Sequence, residues 1–265
     1  MKHFTPIVLL IFGILLAGCG SGGTPKEQTL NVFAASSLTD AFTEIGNSFE
    51  AQHAGVKVAF KFGSSSDLAT QINKGTAVDV FASANQSQFD VVSKAGNIDG
   101  AGKVFAQNRL VVIVPVGNPA QIQKLADLAK PGIKLALAAP KVPVRDYADT
   151  MVDKLAAQPD YGADFNTNFF KNVVAQETDV RQVSAKVASG TVDAGIVYTS
   201  DVTPDLTSKV TKIPIPDEVN TIANYPIGVV NSSQQKDLAR QFSDFVIADT
   251  GQNTMIKWNF ILVKS

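Results

Sequence analysis

The chain has one cysteine, two histidines, one tryptophan and three methionines among 265 residues. A single cysteine, Cys19, permits no internal disulfide, so a stapled scaffold is excluded. With only His3 and His53, no HExxH and no cysteine pair, the usual zinc arrangements lack ligands. Neither GxSxG nor a GxxxxGK phosphate loop occurs, which removes two common routes to nucleophilic and phosphoryl-transfer chemistry. Charge of one sign is also missing, with 23 basic side chains against 24 acidic ones. The chain therefore offers no general footprint for nucleic acid. At 45% hydrophobic residues it is too apolar to stay disordered, and its length suits one large domain or two small ones.

The N-terminus is a separate object. Lys2 and His3 precede an apolar run, Ile7 to Leu16, that is too short to span a bilayer and reads as an export signal over residues 1–18. Residues 19–28 open with Gly20-Ser21-Gly22-Gly23-Thr24-Pro25 and form a flexible tether. Leu16-Ala17-Gly18-Cys19 resembles the lipobox of bacterial lipoproteins. That resemblance implies cleavage before Cys19, its acylation, and anchoring to the outer face of the cytoplasmic membrane. An ordinary signal peptide with a chance cysteine is the alternative. Loss of residues 1–18 removes one charge, Lys2, and leaves 22 basic against 24 acidic residues.

From residue 29 onward, Val-, Ile- and Phe-rich runs alternate with segments of helical period, the pattern of βαβ units around a mostly parallel sheet. Strands are expected at Leu30–Ala34, Val56–Phe62, Val78–Ala82, Leu110–Pro115, Lys134–Ala138, Ala194–Tyr198, Val210–Ile215 and Ile227–Val230. Apolar residues spaced for a helix face, such as Ala41, Ile45 and Phe49 or Val180, Val183 and Val187, read as core. Asn108-Arg109 and Asn224-Tyr225-Pro226 are junctions where the chain can cross between two lobes. The expected division is 29–108 plus 224–265 for one lobe and 109–223 for the other, with a small-molecule cleft between them.

Ser233-Gln234-Gln235-Lys236 has the spacing of an SxxK acyl-transfer enzyme, but no KTG partner is present. Ser232 or Ser233 is better explained as the N-cap of the last amphipathic helix. His53, before Ala54-Gly55, reads as a solvated turn residue, far in sequence from any serine cluster. Two such clusters are informative. Ala34-Ala35-Ser36-Ser37-Leu38 follows the first strand and Gly63-Ser64-Ser65-Ser66-Asp67 the second. One serine suffices to cap a helix, whereas these positions carry two and three. A helix start presents unpaired N–H groups and positive partial charge, and small neighbours let an anion approach.

Val32 to Leu38, Phe62 to Leu68 and Gly195-Ile196-Val197-Tyr198-Thr199-Ser200-Asp201 together resemble the periplasmic molybdate-binding proteins of molybdate ABC transporters. Further segments agree in order: Gly75 to Ala84, Asn108 to Val112, Val142-Pro143, Asp179-Val180-Arg181 and Tyr225-Pro226-Ile227. The resemblance implies an α/β fold of two Rossmann-like lobes, a type II periplasmic binding protein, with no catalysis and no cofactor. It implies molybdate as ligand, and tungstate with it, delivered by a monomer to ABC permease subunits. By motif match the ligand-binding residues are Ser37, Ser65, Val144, Val180 and Tyr198. The serines would offer hydroxyl and backbone N–H, the valines backbone N–H, and Tyr198 its hydroxyl; molybdenum enters only as the oxyanion. Val144-Arg145-Asp146 departs from the family's small residue followed by glycine, which puts pocket width there in question. Arg145 either brings charge to the ligand or, the favoured reading, pairs with Asp146 or Asp149 at the surface. An expansion of about nine residues around Gln158–Asn166 relative to the family is expected to form a surface loop.

Overall fold

The computed structural model describes Met1 and residues 27–263; the signal segment, Cys19 and most of the tether lie outside the described residues. In chain order the first part runs β1 (Gln28–Ala35), α1 (Thr39–Gln52), β2 (Val56–Gly63), α2 (Ser65–Asn73), β3 (Val80–Ala82), α3 (Gln86–Lys94) and β4 (Lys103–Asn108). The second part runs β5 (Leu110–Pro115), β6 (Leu135–Ala138), α4 (Pro143–Ala156), α5 (Phe165–Lys171), β7 (Val173–Glu177), α6 (Val180–Ala188), β8 (Ala194–Tyr198), α7 (Pro204–Thr207) and β9 (Val210–Ile213). The chain ends with β10 (Ala223–Val229), α8 (Lys236–Ile247) and α9 (Asp249–Lys257).

These strands build two five-stranded sheets, ordered β2-β1-β3-β10-β4 and β7-β6-β8-β5-β9. Each is the centre of one α/β lobe. Pleat alternation sends Val32 and Ala34 of β1 into a core with Phe42, Phe49 and Phe242 of α1 and α8. Phe33 points the other way, into a smaller cluster with Leu68, Phe81 and Phe89 beneath α2 and α3.

Both sheets are mostly parallel, as expected, and each carries one reversed strand. β10 runs antiparallel to β3 and β4, and β5 antiparallel to β8 and β9. These are the two strands by which the chain enters a lobe from its neighbour. Strands native to a lobe end at the cleft, so a strand arriving across the cleft starts there and must run away from it. Asn224-Tyr225-Pro226 is therefore not a turn but part of β10, and the register shifts between Tyr225 and Pro226, where a proline is tolerated. β4 and β7, absent from the sequence reading, are edge strands with polar ends, Gln107-Asn108 and Gln176-Glu177, that carry little hydrophobic signal.

Three further expectations are revised. α8 starts at Lys236 with Gln235 as its N-cap and no side-chain cap; Ser233 Oγ instead donates to the buried carboxylate of Asp79 at 2.6 Å. The Gln158–Asn166 expansion contains a 3-10 turn, Pro159–Tyr161, and the start of α5, with Tyr161 packed edge-on to buried Phe165 at 4.9 Å. Arg145 pairs with Asp149 at 2.6 Å, but its side chain is largely buried and its guanidinium sits 5.3 Å from the Phe170 ring. Asp146 takes the Asn85 amide at 3.3 Å instead.

Candidate functional site

Four helix starts meet where the lobes face each other. The 3-10 turn Ser36–Leu38 leads into α1, and α2 begins at Ser65; both follow strands of the first sheet. From the second lobe come α4, whose first residue is Pro143, and α6, whose first residue is Val180. Each start carries N–H groups with no intrahelical acceptor and the positive end of a helix dipole.

Between them lies a narrow cavity lined by twelve residues, among them Ser37, Ser65, Val144, Val180 and Tyr198. All five residues read from the sequence thus share one cavity, and all are buried. Ala35, Ser36, Gly63, Ser64, Ala84, Val142 and Pro143 complete the wall. No charged side chain lines it. Arg145 is not part of it.

The hydroxyls have distinct duties. Ser64 Oγ accepts from the N–H of Asp67 at 3.2 Å and so caps α2. Ser65 Oγ accepts from the N–H of Ala84 at 3.0 Å, which leaves its own proton for the cavity. Ser37 Oγ lies 3.0 Å from Tyr225 Oη. Tyr198 Oη is buried without a hydrogen-bond partner, although Tyr225 packs edge-on with ring centroids 5.8 Å apart. Burial holds the phenols of Tyr198 and Tyr225 well above their ordinary pKa and pushes that of Tyr147 up to about 12. All three are neutral proton donors at physiological pH.

In the second lobe Asp179, extended at the N-cap of α6, accepts the N–H groups of Arg181 and Gln182 at 2.8 and 3.2 Å. The N–H of Val180 takes no part in that cap. Pro143 has no N–H, so Val144 supplies the first one of α4. Helix α6 is held close to β8 because Gly195 has no side chain. A Cβ there would stand 2.8 Å from Val183 and 2.9 Å from Val187.

Behind the wall, Asp201 is buried, and its Oδ2 accepts the N–H of Tyr198 at 3.1 Å. Burial pushes its carboxyl up to about 7, against the pull of Arg181, whose Nε is 3.1 Å from Oδ1. The same guanidinium reaches across to Asp40 of α1 at 2.5 Å and ties the lobes together beside the cavity. Sequence reasoning missed this bridge, and missed Asn85–Asp146, because each pair joins residues far apart in the chain.

The other chemical candidates fall elsewhere. His53 Nδ1 bonds the Phe49 carbonyl at 2.8 Å, and its ring stacks on Phe49. It borders a separate open groove beside Gln28 and α8. Lys236 reaches Asn231 and Asp99, not Ser233. Among the described residues no cluster of His, Cys, Asp and Glu has the make-up of a metal site, and no helix is long and apolar enough to cross a membrane.

Residues 30–261 match the family described as bacterial extracellular solute-binding protein. The molybdate-binding protein ModA of Mycobacterium tuberculosis is 36% identical over 258 residues, which cover 95% of this chain and 94% of the relative. The molybdate-binding protein ModA of Escherichia coli is 30% identical, covering 89% and 90%. Among solved structures, the periplasmic molybdate-binding protein of Azotobacter vinelandii superposes with a TM-score of 0.75 at 20% identity, over 89% of this chain and all of that one. It shares the two-lobed fold.

Proposed function

Starting from the fact that the chain belongs to the bacterial extracellular solute-binding protein family, we propose that it captures molybdate, and tungstate with it, for an ABC permease. The observation that carries this reading is the polarity of the cavity. Ser65 Oγ already accepts a bond, Tyr198 Oη has no partner, and Val144 and Val180 stand at helix starts. Ser65 Oγ–H and the two backbone N–H groups offer donors to the cavity, and no carboxylate acceptor lines it. Molybdate is a fully deprotonated tetrahedral dianion near neutral pH, so its oxygens can only accept.

Hydrogen bonds to a charged group contribute about 1.5–3 kcal/mol each, so several converging donors offset dehydration and support submicromolar affinity without a lysine or arginine. Phosphate keeps a proton at this pH that the site would leave without an acceptor. Sulfate is acceptor-only but smaller, so it is discriminated by size. Ser37 and Ser65 come from one lobe and Val144, Val180 and Tyr198 from the other, so only a closed form makes every contact. We assign residues 29–108 with 224–265 to the first lobe and 109–223 to the second. Acylated Cys19 would keep this monomeric receptor at the outer face of the cytoplasmic membrane beside its permease.

Isothermal titration at pH 7.5 with molybdate, tungstate, sulfate and phosphate tests the reading. Tight binding of the first two and silence from the others is expected. Preference for sulfate would reassign the ligand, and silence from all four would overturn an oxyanion receptor. Retention of a Cys19→Ser variant in the membrane fraction would overturn the lipid anchor.

A further inference from the structure

Ser37 can serve an acceptor-only ligand only if its hydroxyl proton points into the cavity, and nothing local ensures this. A serine hydroxyl both donates and accepts, and its partner Tyr225 Oη does the same. The direction is decided two residues further back. Asn108 is fully buried at the end of β4, where the chain crosses between the lobes. Its Oδ1 accepts from the N–H of Arg109 at 2.9 Å and from Thr199 Oγ1 at 2.8 Å. Both are donors to that oxygen, the first a backbone amide that cannot accept, so the orientation of the amide is set. Its Nδ2 must therefore face Ser200 Oγ at 2.8 Å and Tyr225 Oη at 3.4 Å. An amide nitrogen only donates. Tyr225 Oη thus receives a proton from Asn108, and its own proton needs an acceptor, because a buried hydroxyl is rarely left unpaired. Ser37 Oγ, at 3.0 Å, is the acceptor within hydrogen-bond distance, whereas neighbouring Tyr198 Oη lies beyond it.

We infer that Asn108 and Tyr225 form a directional hydrogen-bond relay that makes Ser37 an obligate donor and so selects acceptor-only oxyanions over protonated ones. The relay runs Asn108 Nδ2–H to Tyr225 Oη, then Tyr225 Oη–H to Ser37 Oγ, then Ser37 Oγ–H to the anion. Neither Asn108 nor Tyr225 lines the cavity, so both are positioning residues. The two serines of the wall reach the same polarity by different means. Ser65 is held by the N–H of Ala84, which can only donate, and Ser37 by a phenol whose direction a crossover asparagine imposes. This inference rests on the oxyanion reading above, but any acceptor-only tetrahedral dianion tests it.

The test is a double-mutant cycle on the full-length chain in detergent, titrated with molybdate and with inorganic phosphate at pH 7.5. Tyr225→Phe should weaken molybdate about tenfold and narrow the molybdate-to-phosphate ratio, because Ser37 Oγ then becomes free to accept. In a Ser37→Ala background the same substitution should change molybdate affinity less than about twofold. An equal loss in both backgrounds would mean that Tyr225 acts through packing and would overturn the relay, as would unchanged affinity and ratio in Tyr225→Phe alone. Thr199→Val releases Asn108 Oδ1 without touching Tyr225 and serves if Tyr225→Phe fails to fold. It should cost about two- to threefold, again only where Ser37 is present, and a loss of the same size without Ser37 would overturn the relay. If the wild-type chain ignores molybdate but binds sulfate, the cycle run with sulfate judges the relay separately from the ligand assignment. Silence of the wild-type chain toward all these anions would overturn both.

Discussion

The two lobes present the same kind of surface to the cavity but make it from different parts of the chain. To the N–H groups of its own helix starts the first lobe adds side chains, the hydroxyls of Ser37 and Ser65, each held by a partner elsewhere in the same lobe. The second relies mainly on backbone, the N–H groups at the starts of α4 and α6, with Tyr198 as its one hydroxyl. A wall built from hydroxyls is open to single substitutions. One built from helix starts is indifferent to side-chain identity and sensitive to whatever removes an N–H or shifts a helix.

Ser65→Ala should produce the largest effect, because it withdraws a donor from the ligand and an acceptor from the buried N–H of Ala84. A loss of about 10- to 100-fold in molybdate affinity is expected by calorimetry, with about 1–3 kcal/mol of stability lost in urea denaturation. Intact stability would mean that the Ala84 N–H does not depend on Ser65 Oγ.

Val180→Pro targets the other wall. Proline suits the first position of a helix, and Asp179 is already extended (φ −153°, ψ 169°) as a residue before proline must be. The variant should keep the fold and lose about tenfold or more in affinity through the missing N–H, while Val180→Ala changes affinity less than about twofold. Equal losses in both would show that the valine side chain, not the backbone, meets the ligand.

Ser64→Ala separates capping from binding within one cluster. Loss of the α2 cap should cost about 1 kcal/mol of stability and leave molybdate affinity nearly unchanged.

The effect smallest on binding is a pH dependence of stability located behind the second wall. With its pKa raised in the fold to about 7 from an ordinary 3.8, Asp201 binds more protons folded than unfolded across that window. Its contribution to stability therefore falls as pH rises from about 4 to 7 and levels off above. The melting temperature should decline from pH 5 to 8, and Asp201→Asn should flatten that decline. An unchanged slope in the variant would place the titration elsewhere.

Much of this was legible in the sequence. The serine clusters after β1 and β2 are local patterns that place helix starts, while Val142-Pro143, Asp179-Val180 and the Gly195–Tyr198 strand were legible through their resemblance to the family. Ser64, Ser65 and Ser66 nonetheless look interchangeable until the N–H groups of Asp67 and Ala84 divide them into cap and donor. β4 and β7 are not legible, since each is short and ends in polar residues, Gln107-Asn108 and Gln176-Glu177, that interrupt the apolar pattern. Arg145 was read as a surface group because the burial given by Phe170 comes from another helix.

By itself the sequence determined the α/β alternation and the two serine-bearing helix starts, because these depend on periodicity and on neighbours a few positions apart, whereas Val144, Val180 and Tyr198 were reached only through the resemblance to a family. Tertiary structure alone decided the reversal of β5 and β10, the Arg181 bridge between Asp40 and Asp201, and the direction of the Ser37 proton. The physical reason is that a strand's direction depends on the side from which the chain arrives. A hydroxyl's polarity depends likewise on partners such as Tyr225, 188 positions away.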